Sequence, residues 1–215
     1  MKKRTVQGLA LLLALLVLAG CAGPEEKPVQ PPEEPKVPVE DVTEPQRPDE
    51  PVQESRPEPL DHLAVELVVD WSDSERVLGA LSEMQRLLGD ALLAVGYQVE
   101  EISVTISTAG GFTANAMMDG GVDLAFMPAV DYITCESGAA AVLTTGEEPC
   151  ETVVAVSLGR EELGDSFPKD LETALLETEP GIMLLTLYRA DKTYLPAGEE
   201  AIQAVRDWLE EQEER

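Results

Sequence analysis

From Leu63 to Asp70 the chain is apolar and β-branched, interrupted only by Glu66, which predicts a strand near the centre of a sheet. The period then changes. Val77, Leu81, Met84, Leu88, Leu92 and Val95 recur at three- and four-residue steps and predict one long helix with one buried face. Ser72 or Asp73 can cap its start, and Gly96 can end it by accepting a left-handed backbone. Between Val99 and Ile106, the apolar Ile102, Val104 and Ile106 alternate with Ser103 and Thr105, the period of a strand covered on one face. A short helix over Phe112 to Met118 closes at Gly120-Gly121, and an apolar strand follows from Val122 to Met127. Pro128 suits the first turn of a helix continuing through Ala129 to Glu136. Further on, Ala140 to Leu143 and Thr152 to Leu158 read as strands, and Phe167 to Glu177 and Glu199 to Glu213 as helices, while Gly181 to Ala190 shows no decisive period. Two strand-helix-strand units in succession imply parallel pairing with right-handed crossovers. The expected fold is therefore α/β in three layers, around a mainly parallel sheet.

The amino-terminal sixty residues follow other rules. Lys2, Lys3 and Arg4 precede an apolar run from Leu9 to Leu18 and small residues before Cys21, the layout of an export signal. The run is too short to span a bilayer comfortably. Leu15-Leu16-Val17-Leu18-Ala19-Gly20-Cys21 resembles the lipobox of bacterial lipoproteins. That resemblance implies removal of residues 1–20, lipid on the Cys21 thiol, and an extracytoplasmic chain held at the membrane by several acyl chains. An ordinary signal or anchor that happens to end in cysteine is the other reading. Residues 22–60 contain eleven of the sixteen prolines, eleven acidic residues, four basic ones and no aromatic, too little apolar surface to fold. Residues 21–60 are thus expected to form a tether, which at about 3.1 Å per residue reaches on the order of 100 Å. Residues 61–215 are enough for one domain with its own core.

A formal charge of −27 argues against nucleic acid and anionic lipid surfaces as partners. One histidine, His62 at the edge of the tether, and two cysteines besides Cys21 give little material for metal chemistry. No serine-histidine-aspartate set can be assembled around His62, so neither an enzyme nor a cofactor is expected. Cys135 and Cys150 are fifteen positions apart. In an oxidising compartment a disulfide between them is favoured, and it contributes about 3 kcal/mol by closing that loop; two separate buried thiols are the alternative.

The stretch from Ser107 to Tyr132 places helix starts just past the carboxyl ends of strands, so free N–H groups and helix dipoles converge on one crevice. Thr108, Thr113 and Tyr132 add hydroxyls, and Gly110 and Gly111 let a ligand approach the backbone. Val122-Asp123-Leu124-Ala125-Phe126, then Pro128 to Tyr132, together with an opening strand followed by Trp71-Ser72-Asp73-Ser74-Glu75, resemble the phosphonate and phosphite type of periplasmic substrate-binding proteins of ABC importers. The resemblance covers roughly Leu63 to Leu158. It implies one lobe of a type 2 periplasmic binding protein and a ligand site at Ser72, Thr108, Gly110, Gly111, Thr113 and Tyr132. Its implied partners are a small polar or anionic solute, an ABC permease and, through the lipid, the membrane. Asp123, inside an apolar strand, is expected to hydrogen-bond locally.

Two features depart from that family. The second lobe is normally inserted after a region corresponding to about Ala141 to Leu158, and too few residues remain for it here. Between Arg86 and Arg160 there is no lysine or arginine and there are ten acidic residues. Half the usual solute contacts are then missing, and the surrounding field does not favour a dianion. The competing reading is a structural or protein-interaction lipoprotein built on a single degenerate lobe.

Overall fold

The structure, a computed structural model, describes residues 59–215, and the expected signal peptide, lipidated Cys21 and most of the tether lie outside them. The elements run β1 (Leu60–Val68), α1 (Ser74–Ala94), β2 (Val99–Ser107), α2 (Gly110–Met118), β3 (Leu124–Pro128), α3 (Ala129–Cys135), β4 (Ala139–Thr145), β5 (Thr152–Ser157), α4 (Phe167–Glu177), α5 (Glu179–Tyr188), β6 (Tyr194–Pro196) and α6 (Glu199–Glu213). The strands form one sheet in the order β2-β1-β3-β5-β4-β6. Parallel pairing is confined to β2-β1-β3, the two units whose crossovers are α1 and α2. Beyond β3 every junction is antiparallel, although β4 still points the same way as β1, β2 and β3. The cause is local. Only the loop 146–151 joins β4 to β5, too short for a crossover, so the two strands close as a hairpin and β5 enters the sheet beside β3.

Side chains of successive strand residues alternate between two cores. Leu63, Val65, Leu67, Leu124, Phe126, Val154 and Val156 meet α1, α4 and α5 on one face. Ala125, Met127, Val153 and Ala155 meet α2, α3 and α6 on the other. The central strands are covered twice and so read as unbroken apolar runs, as β5 shows with all six residues buried. α1 ends at Gly96, whose φ of 98° is left-handed as expected. At the α1 start neither Ser72 nor Asp73 makes a side-chain cap, and Asp73 instead lies 3.5 Å from Arg76.

α5 resolves the segment whose period was indecisive. Thr178 caps it by accepting from the Gly181 N–H at 3.1 Å, and Pro180 lies in its first turn. A Cβ on Gly181 would overlap the Ala174 carbonyl and Leu175, so α4 and α5 meet backbone to backbone there. The three-residue β6 ends in Pro196, which leaves that sheet edge short and blunt.

Asp123 does bond locally, at the amino end of β3. Its Oδ2 accepts from the Ala64 N–H at 2.7 Å and from Arg160 Nη1 at 2.8 Å, and the same nitrogen donates to the His62 carbonyl. At the opposite end of the sheet the β1/β3 ladder covers only Val65 to Leu67, against eight positions for β1/β2, so β1 and β3 separate near Val68 and Pro128. Tyr188 of α5 fills the base of that separation. Its buried hydroxyl donates to the Val68 carbonyl at 2.5 Å and lies 3.3 Å from that of Phe126, and its ring meets Phe126 edge-on. Tyr188→Phe takes the hydroxyl donor from the buried Val68 carbonyl and is expected to cost about 1–3 kcal/mol, read as a lower denaturation midpoint with an unchanged m-value.

Candidate functional site

Where β1 and β3 separate, a crevice of about 280 Å³ opens at the carboxyl ends of β1, β2 and β3. Val68, Val69 and Tyr188 line its floor, Thr108 and Gly110 one wall, and Pro128, Asp131, Glu151, Thr152 and Arg189 the other, with Asp70 at the rim. The predicted position of the site and two of its residues, Thr108 and Gly110, therefore come together. Gly111 is exposed on the first turn of α2, beside them.

Three predicted residues do not line this crevice. Ser72 is exposed in the β1–α1 loop and is not among the lining residues. Thr113 is fully buried one turn beyond Gly110, with no hydrogen-bond partner for its hydroxyl. Tyr132 is buried against β4, where its hydroxyl donates to the Ala139 carbonyl at 3.3 Å and accepts from the Ala141 N–H at 3.2 Å. A helix turns by about 100° per residue, so the residue of α3 that faces the crevice is the neighbouring Asp131. The cysteines are separate buried thiols, contrary to the favoured pairing. Glu151 accepts from the Ala129 N–H, which places Cys150 beside the first turn of α3. Cys135 is the last residue of that helix, about 9 Å further along at 1.5 Å per residue, beyond the usual disulfide span.

Asp131 is the residue that determines the chemistry of the crevice. Its carboxylate lies over the first turn of α2, so close that a Cβ on Gly110 would overlap it in this rotamer. No N–H or O–H of the described residues donates to it. Burial without a donor pushes its pKa up. Asp70 and Glu151 add two more carboxylates, Glu151 being paired with Lys192 Nζ at 2.7 Å, and Arg189 is the one cation among the lining residues. That guanidinium is engaged by Asp191 at 3.2 Å and lies 3.8 Å from Glu151. The α2 terminus, expected to attract an anionic ligand, is therefore already faced by a carboxylate of the chain itself. Asp70, Asp131, Glu151 and Arg189 were all visible in the sequence, but only their convergence on one crevice distinguishes them from a solvated acidic surface.

The crevice mouth is open. Trp71 in the β1–α1 loop is 82% exposed and Phe112 in the first turn of α2 is 77% exposed, with Val130 of α3 also exposed. Away from the crevice, His62 lies near the start of β1, and its Nε2 is 2.9 Å from Ser103 Oγ on β2. No carboxylate of the described residues hydrogen-bonds to its ring, and the described residues contain no cluster of three or more metal-ligating side chains.

The fold is similar to that of XAC2383 from Xanthomonas citri bound to chloride, with a TM-score of 0.52 and 9% identity over 68% of this chain and 95% of that one. It is also similar to PhnD1 from Prochlorococcus marinus in complex with methylphosphonate, with a TM-score of 0.50 and 7% identity over 68% and 96% of the two chains. The fold is that of one lobe of a periplasmic binding protein. XAC2383 bound to ATP aligns at a TM-score of 0.50 and 8% identity, over 68% of this chain and 95% of that one. No family model matches the sequence, and no curated protein matches it. At these identities the likeness shows the architecture alone, and the crevice is lined by this chain's own side chains.

The raised pKa of Asp131 fixes the sign of a pH effect. The folded chain holds the Asp131 proton more tightly than the unfolded chain does, so this group's contribution to stability is lost as pH rises from the ordinary carboxylate value through the raised one. Asp131→Asn is expected to be more stable than the parent near neutral pH. The gain should vanish below about pH 4 in denaturant titrations run across pH.

Proposed function

We propose that this chain is a solute-binding lipoprotein serving an ABC importer, held outside the membrane by lipid on Cys21 and the proline-rich segment 21–60. The solute sits in the strand-end crevice. The fold, the position of the crevice and the likeness of Val122–Phe126 and Pro128–Tyr132 to the phosphonate and phosphite type support this reading, as does the likeness to PhnD1. No covalent chemistry is assigned to the crevice.

The solute class, however, moves away from the anions that the resemblance implies. One observation carries this shift: Asp131, half-buried and without a donor, faces the α2 terminus where a phosphonate would otherwise be drawn. An ammonium group supplies the missing donor and a compensating charge. A phosphonate would have to enter against Asp70 and Asp131, with Arg189 engaged by Asp191 and Glu151 paired with Lys192. The preferred solute is thus small, polar and positively charged.

The exposed Trp71, Phe112 and Val130, each within two positions of a crevice residue, support a second reading, in which this face meets another protein and the lobe captures no solute.

A thermal-shift panel of amino acids, choline, phosphate and methylphosphonate separates these readings. A cationic solute at one hundred times its dissociation constant is expected to stabilise by about 2.7 kcal/mol. Asp131→Asn is expected to melt higher than the parent without ligand and to lose that response. Stabilisation by phosphate or methylphosphonate alone would retain solute capture but overturn the charge class. No response from the parent to any probe would favour the protein-partner reading.

A further inference from the structure

The two edges of the sheet are built differently. β6 is three residues long and ends in proline, whereas β2 is nine residues long, contains no proline or lysine and carries no charge from Ile102 to Ser107. β2 pairs along its length with β1 and, among the described residues, with nothing on its other side. Edges of soluble sheets are ordinarily short, bulged, charged or covered. On β2 only Glu100 and Glu101, at one end, serve that purpose.

We propose that β2 pairs antiparallel with β2 of a second copy of this chain, about a two-fold axis at Val104, so that two six-stranded sheets become one continuous sheet. An axis perpendicular to the sheet keeps the two α1 layers on the same side, and residues directly opposite share a face. With the axis at Val104, Ile102 faces Ile106 and Val104 faces itself on the α1 side. Ser103 faces Thr105 on the other side. Glu101 falls opposite Ser107 and Glu100 opposite Thr108, so no carboxylate meets another directly.

Other registers are worse. Moving the axis to Ser103 sets Glu100 against Ile106, and moving it to Thr105 sets Ile102 against Thr108. The surface beside the strand fits the same register. Ser82, Gln85, Arg86 and Gly89 of α1 and Val99, Glu100 and Ile102 of β2 border an open depression of about 370 Å³, where the second copy's Ile106 would arrive on the Ile102 side and its Thr108 beside Glu100. The whole-chain charge of −27 opposes association at low salt, so pairing strengthens as salt screens it. This inference does not depend on which solute the crevice takes.

The test uses the full-length chain in detergent, with the parent as control for its native cysteines. Val104→Cys brings two thiols together at the axis and is expected to give a reducible dimer on mild oxidation. Glu101→Cys, which faces Ser107, is not. The parent is expected to sediment as a dimer, increasingly so as salt is added. Thr105→Glu, at an exposed position, is expected to weaken the dimer by roughly tenfold with unchanged circular dichroism, by adding carboxylates along the seam. A parent that sediments as a monomer at every salt concentration, or a Val104→Cys chain that cross-links no more than Glu101→Cys, would overturn the proposal.

Discussion

The hydroxyl of Tyr188 connects fold and site. Parallel strands β1 and β3 share a ladder of only three positions and then diverge, which leaves main-chain carbonyls facing inward at the sheet's carboxyl end. Buried carbonyls without donors are costly. The Tyr188 hydroxyl donates to Val68 and lies near the Phe126 carbonyl, while its ring packs on Phe126, so the strands can stay apart. α5 is held in the position this requires by its close backbone approach to α4 at Gly181. The separation of the strands and the crevice are therefore consequences of one helix being seated accurately.

Within the crevice, geometry and charge favour different ligands. Helix starts at strand ends favour an anion, and the starts of α2 and α3 meet at the crevice through Gly110 and Pro128. The side chains oppose that tendency with Asp70, Asp131 and Glu151. Asp131 is the decisive group because the backbone of α2 makes room for it at Gly110. Stability is given up to keep a carboxylate there without a donor, a condition common at sites whose partner arrives later.

Much of the architecture was legible in the sequence because burial follows period. β5, covered on both faces, is an unbroken apolar run, and α1, covered on one, shows a clean three-and-four spacing. β6 escaped because its three residues carry no period, and the antiparallel half of the sheet escaped because strand direction depends on loop length more than on the strands themselves. Thr178-Glu179-Pro180 did contain a start signal for α5, a capping hydroxyl followed by proline. At the site, Thr108 and Gly110 were legible as loop residues at a strand end. Tyr132, as able to pack as to bind by its sequence, packs on β4, because a motif marks a helix but not its rotation and one step along α3 puts Asp131 at the crevice instead.

The bond set around Asp123 lies at the pole of the sheet opposite the crevice, where the chain enters β1 at Leu60. A pull transmitted along the backbone from the residues before Pro59 would load β1, which is flanked by β2 and β3 rather than lying at an edge. Such a load acts in shear, across many hydrogen bonds at once, instead of peeling them in turn. Arg160 adds a side-chain strap by holding the His62 carbonyl to Asp123. Under the proposed tethering, tension enters the domain at one pole of the sheet while the crevice lies at the other.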